Sequence, residues 1–126
     1  MNNPPNAPWP APLTGDALYG LAGDVVRTLE PHTESDPAAL LVQLLVSFGN
    51  LIDRGPHFRV EADRHALNLF AVLVGKTSKA RKGVSLGLVK RLLSDCDVLS
   101  NWDSLCIQSG LSSGEGLIHE IGRAHV

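Results

Sequence analysis

The sequence predicts a mixed α/β domain in which two helices precede a strand, a loop and a third helix. Three observations predict it. Apolar residues recur twice at helical spacing before residue 54. The run "LNLFAVLV", Leu67 to Val74, is then almost continuously apolar, as a central strand covered on both faces would be. Finally, the polar loop "GKTSKARKGVS", Gly75 to Ser85, leads into renewed helical spacing at Leu86, Leu88, Val89, Leu92 and Leu93. With 126 residues, 44% of them apolar, the chain has the length and composition of one globular domain.

The opening "MNNPPNAPWPAP" holds five of the eight prolines and lacks the apolar stretch of a signal peptide, so residues 1–13 are expected to be an extended arm of a cytoplasmic protein. Residues 14–54 follow as a helical appendage. Leu18, Leu21, Ala22, Val25, Val26 and Leu29 form one apolar stripe, and Pro31 ends the helix that carries it. A second helix starts at "SDPAAL", where Ser35 or Asp36 can cap and Pro37 suits the first helical position, and it runs to about Ile52. It is apolar nearly all round. Gln43, Ser47 and Asn50 form its polar stripe, and its apolar span falls short of the ~20 residues that cross a bilayer, so a core helix is expected and no membrane partner.

Residues 55–120 carry the strand, the loop and the third helix. Gly55 and Pro56 supply a turn, and "HFRVEAD" alternates Phe58, Val60 and Ala62 inward against Arg59 and Glu61 outward, the pattern of a half-exposed strand. Buried strand, glycine-bounded basic loop, helix is the order that a phosphate-binding loop requires. A helix start offers unpaired backbone N–H groups and the positive end of the helix dipole, and a lysine reaching back adds a full charge. The common form G-x-x-x-x-G-K-[ST] is not met, because Gly75 is followed at the second glycine position by Ala80 and then by Arg81, Lys82, Gly83, Val84 and Ser85. A register ending at "GKT" would need glycine at Phe70, inside the strand, and is rejected.

Three stretches, "PHTESDPAALLVQLLVSFGN", "GPHFRVEADRHALNLFAVLVGKTSKARKGVS" and "SGLSSGEGLI", resemble the start of a family of P-loop ATPases from bacteria and their phages, the RepA-like helicase or primase-helicase proteins. The resemblance covers about Trp9 to His119. It implies the first half of a RecA/AAA-like P-loop NTPase domain, binding ATP and Mg²⁺, within a longer helicase-like ATPase. That longer protein would act in DNA replication on single-stranded DNA, with a ring-shaped homo-oligomer as its assembly. The family loop reads roughly G-x-T-x-K-G-R-K-G-T-S, so this chain departs from it at Ala80 and Val84. Carried over position by position, the resemblance assigns Gly75, Thr77, Ser78, Lys79, Arg81, Lys82, Gly83 and Ser85 to the nucleotide. Lys82 is the choice for the β/γ-phosphates, with Arg81 close behind, and Ser85 is the remaining magnesium ligand.

Further along, Leu105 to Gln108 are expected as a short strand, and Ser112 with Glu115 fits an S-x-x-E capping box at the start of a helix. Glu115 either caps that helix or, with Ser112, helps arrange magnesium or water at the nucleotide. No apolar strand ending in paired acids follows the loop, and "NLID" at Asp53 precedes it, so the stretch is expected to bind nucleotide without hydrolysing it. The closing "IGRAHV", residues 121–126, is what ATC GGA AGA GCA CAC GTC encodes, the start of a common sequencing-adapter oligonucleotide, and is expected to be non-native. Cys96 and Cys106 have no CxxC spacing, and His32, His57, His65 and His119 show no metal-ligand spacing, so reduced thiols and no zinc site are expected.

The net charge of −2 excludes nothing about polyanions, since placement decides. From Arg64 to Ser94 there is no Asp or Glu, yet seven of the 11 basic residues fall there. A non-enzymatic module that contacts nucleic-acid phosphates with this stretch is therefore the alternative function. Such a module needs base-stacking aromatics. The window offers only Phe70, which the strand pattern assigns to the core.

Overall fold

The structure, a computed structural model, describes residues 11–74, 82–95, 102–110 and 113–123. Among them are five α-helices and one two-stranded antiparallel sheet: α1 Gly20–Leu29, α2 Pro37–Leu51, β1 His57–Val60, β2 Asp63–Ala66, α3 Lys82–Ser94, α4 Trp102–Cys106 and α5 Gly114–Arg123. The chain divides into two compact units, Met1–Val89 and Lys90–Val126, and the boundary falls within α3. No helix among the described residues is long and apolar enough to cross a membrane.

In the first unit α1 packs on α2. Short 3-10 turns flank α1, at Gly15–Ala17 and at Glu30–His32, the latter carrying the Pro31 that stops the helix. The buried face of α1 is set by Gly23 and Val26, while Leu21, expected on the apolar stripe, is 80% exposed. The reason is steric: the backbone of Leu18 lies where a β-carbon on residue 23 would be, so α1 faces its own lead-in through its glycine. Arg27 then donates to the Leu18 carbonyl at 2.7 Å and pairs with Asp24.

α2 starts where its sequence says it should. Asp36 accepts from the backbone N–H of Ala38 at 2.8 Å, Pro37 fills the first helical position, and Ser35 behind them is buried beside the Thr33 hydroxyl. Leu40, Leu44, Ser47 and Gly49 are its buried residues. Ser47, expected on the polar stripe, is thus inside, while Leu45 and Phe48 are partly exposed. Asp53, in the left-handed region at φ 54°, turns the chain out of the helix towards the sheet.

β1 and β2 form a hairpin in which His57 faces Ala66, Phe58 faces His65, Arg59 faces Arg64 and Val60 faces Asp63. One strand was expected over His57 to Asp63; the chain instead reverses at Glu61 and Ala62, and Phe58 and Val60 stay exposed. Glu61 makes the turn at φ 52°, a conformation that costs an L-residue ~1–2 kcal/mol and glycine nothing, against ~0.4–1 kcal/mol of extra unfolded-chain entropy for glycine. Glu61→Gly is therefore expected to stabilise the first unit by about 0.5–1 kcal/mol. Urea unfolding followed by circular dichroism measures it, and a lower midpoint for the variant would contradict the strained-turn account.

Leu67 to Val74, expected as a central strand, carries no strand pairing among the described residues. A strand is defined by its ladder, and none of the described segments lies beside this one to complete it. Nor is the segment covered on both faces: Ala71 and Leu73, with Leu86 of α3, line a cavity of about 110 Å³ against Val42 and Val46 of α2, while Phe70, Val72 and Val74 are exposed. Two contacts anchor the segment: the Leu67 carbonyl sits against Gly49, and the Asn68 side-chain amide donates to the Gly49 carbonyl at 3.5 Å.

In the second unit Lys90 lies 3.5 Å from Asp103 of α4. The strand expected at Leu105 to Gln108 is not formed: α4 occupies Trp102–Cys106, and Ile107 N–H donates to the Asp103 carbonyl at 3.1 Å. Ser113 accepts from the N–H of Gly116 at 3.1 Å at the start of α5, and Glu115 is exposed in the first turn; Ser112, expected in the capping box, lies outside the described residues. The helix runs past Glu120 to Arg123, taking in three residues of the expected non-native tail.

Candidate functional site

The helix expected after the glycine-bounded loop is present, and it begins at Lys82. Its first turn holds no acidic residue. By helix geometry the N–H groups of Lys82, Gly83 and Val84 have no intrahelical acceptor and point towards the chain that precedes them. Gly75, Thr77, Ser78, Lys79 and Arg81 lie outside the described residues, as does Ser112; Lys82 is described through its backbone and Gly83 is exposed.

Ser85, expected as a magnesium ligand, lies in the first turn of α3 but is fully buried. Mg²⁺ in phosphate sites keeps several waters, which a fully enclosed hydroxyl cannot adjoin. Among the described residues no group of three or more His, Cys, Asp or Glu could hold a metal ion.

A second cluster lies at the hairpin, and residue spacing alone did not point to it. Arg54, His57, Arg64, His65, Asn68 and Phe70 line a cleft of about 490 Å³, within the ~300–1,000 Å³ typical of small-molecule sites. Each element contributes for a local reason. The left-handed turn at Asp53 delivers Arg54, the hairpin supplies the two histidines and Arg64, and the Gly49 contact fixes Asn68 and hence Phe70.

The electrostatics of the cleft are one-sided. Its lining contains no carboxylate, and neither Arg54 nor Arg64 makes an ion pair among the described residues. Arg64 sits directly across the ladder from Arg59, an opposition of like charges that costs the hairpin a few tenths of a kcal/mol. The His57 Nδ1–H donates to the Gly55 carbonyl at 2.7 Å, which leaves Nε2 as the nitrogen open to a ligand. Phe70, assigned to the core by its sequence pattern, is 99% exposed. A second cavity of about 180 Å³ shares Arg54, Asn68 and Phe70 and continues along Val46, Asn50 and Leu69.

Compared with family models, with curated proteins and with solved structures, the chain finds no match.

Proposed function

We propose that the chain is the ATP-binding part of a nucleic-acid-directed, helicase-like P-loop ATPase, with its phosphate-binding loop at Gly75 to Ser85. The observation that carries this reading is the start of α3 at Lys82, directly behind a loop bounded by glycine and rich in lysine and arginine. Unpaired first-turn N–H groups, the helix dipole and the absence of acid in that turn all favour an anion at this end of α3. In this reading Lys82 meets the β/γ-phosphates, Arg81 is its neighbour in the usual lysine register, and Gly75, Thr77, Ser78, Lys79 and Gly83 shape the cradle. Magnesium arrives with the nucleotide, and Ser85 joins its ligands only if the first turn of α3 opens.

Calorimetric titration with Mg·ATP tests the assignment. Lys82→Ala is expected to weaken binding by roughly ten- to hundredfold, the loss of a charge-assisted contact, while Lys76→Ala retains most of it. Equal losses, or a loss with Lys76→Ala alone, would mean that the register is wrong. ATP should also slow hydrogen exchange over Gly75 to Ser85.

A further inference from the structure

We propose that the cleft between the hairpin and the segment after it binds single-stranded nucleic acid, with a base stacked on Phe70 and backbone phosphates held by Arg54 and Arg64. The proposal needs nothing from the loop at residues 75–85 and stands apart from the ATP reading.

Four observations converge on this ligand. Phe70 presents its ring to solvent almost completely, at 99% exposure, in a cleft it lines together with Arg54 and Arg64, neither of which makes an ion pair among the described residues. A planar π-system next to positive charge is the pairing that recognises a base and its phosphate, and it tolerates any base because each has a π-face. The like-charge opposition of Arg59 and Arg64 is relieved by an anion and by nothing else that lines the cleft. His57, with Nδ1–H committed to Gly55, and His65 add hydrogen-bonding edges next to that anion.

The second cavity decides between a strand and a free nucleotide. It shares Arg54, Asn68 and Phe70 with the first and is lined otherwise by Val46, Asn50 and Leu69. A surface that extends beyond the first cleft while sharing Arg54, Asn68 and Phe70 with it suits a ligand longer than one nucleotide, which the cleft of about 490 Å³ would hold alone.

Fluorescence anisotropy with a fluorescein-labelled oligothymidylate, without ATP, tests this on the whole chain. Binding is expected, with log K falling by about 1.4 per log unit of salt for two phosphate contacts at ~0.7 each. Phe70→Ala should weaken it at least fivefold or so, Phe70→Trp should restore it, and Arg54→Ala with Arg64→Ala should flatten the salt slope. Because all three side chains lie at the surface of the cleft, a circular-dichroism melt should be unchanged in each variant. Competition by adenosine monophosphate as strong as that by the unlabelled strand would make this a mononucleotide site and overturn the assignment to a strand. Unaltered binding by Phe70→Ala would overturn the stacking role. An oligomer that Phe70→Ala converts to monomer, with no oligothymidylate binding, would make the exposed ring a protein interface and end the proposal.

Discussion

Gly49→Val is expected to destabilise the first unit by about 3 kcal/mol and to release the Leu67–Val74 segment from α2. Helix propensity alone argues weakly the other way, since glycine inside a helix costs ~0.5–1 kcal/mol relative to alanine. Sterics decide. A β-carbon on residue 49 would run into the Leu67 carbonyl, with the Asn68 backbone close behind, and these are backbone atoms that cannot swing aside as a side chain would. Relief therefore means moving the segment, which breaks the Asn68 hydrogen bond to the Gly49 carbonyl and shifts Phe70 with it. Gly87→Ala is the matched control. It sits in α3 with nothing within 4 Å of its would-be β-carbon, so propensity acts unopposed and a gain of about 0.5–1 kcal/mol is expected. Urea midpoints by circular dichroism measure both, and a Gly49→Val variant as stable as the parent chain would show that Leu67 does not pack on α2 as described.

These two glycines mark how far the sequence could be read. Local chemistry was legible: the Asp36 cap, Pro37 at the first helical position, the stop at Pro31 and the helix after the basic loop all depend on neighbours a few residues away. Features that depend on distant partners were not. Leu67 to Val74 reads as a buried strand because its residues suit one, yet pairing decides whether a ladder exists, and no sequence window contains the partner. The hairpin turn at Glu61 carries no glycine or asparagine to announce its left-handed residue. Leu105 to Gln108 is a short apolar run of the kind that periodicity cannot assign to helix or strand, and α4 covers its start. The adjacent serines 112 and 113 leave the α5 cap ambiguous by one position in the sequence, and in the structure Ser113 accepts from Gly116. The basic cleft is not legible in the sequence for a similar reason. Arg54, His57, Arg64 and Phe70 are unremarkable in sequence order and acquire meaning only when the turn at Asp53 and the hairpin bring them together.

Leu40→Ala is expected to cost about 2–5 kcal/mol, while Leu45→Ala, five residues along the same helix, should cost well under half as much. The sequence of α2 cannot separate the two, because the helix is apolar nearly all round and each leucine has leucine neighbours. Burial separates them. Leu40 is 1% exposed, whereas Leu45 is 38% exposed and already loses much of its hydrophobic stabilisation to solvent. Few side chains share the load: Val26, Leu40 and Val89 are the large apolar residues of the first unit that are essentially sealed from solvent among those described. A cavity at residue 40 thus removes a large fraction of a small core, and partial collapse is hindered by Gly23 and Gly49, where helix and chain already meet backbone to backbone. Marginal stability turns that loss into a visible change, since whole domains are held by only ~5–15 kcal/mol. Thermal melts should show a broad, early transition for Leu40→Ala and a sharp, near-parental one for Leu45→Ala. Equal shifts for the two variants would mean that both faces of α2 are packed, and that the face carrying Leu45 and Phe48 is covered in solution by something the described residues do not supply.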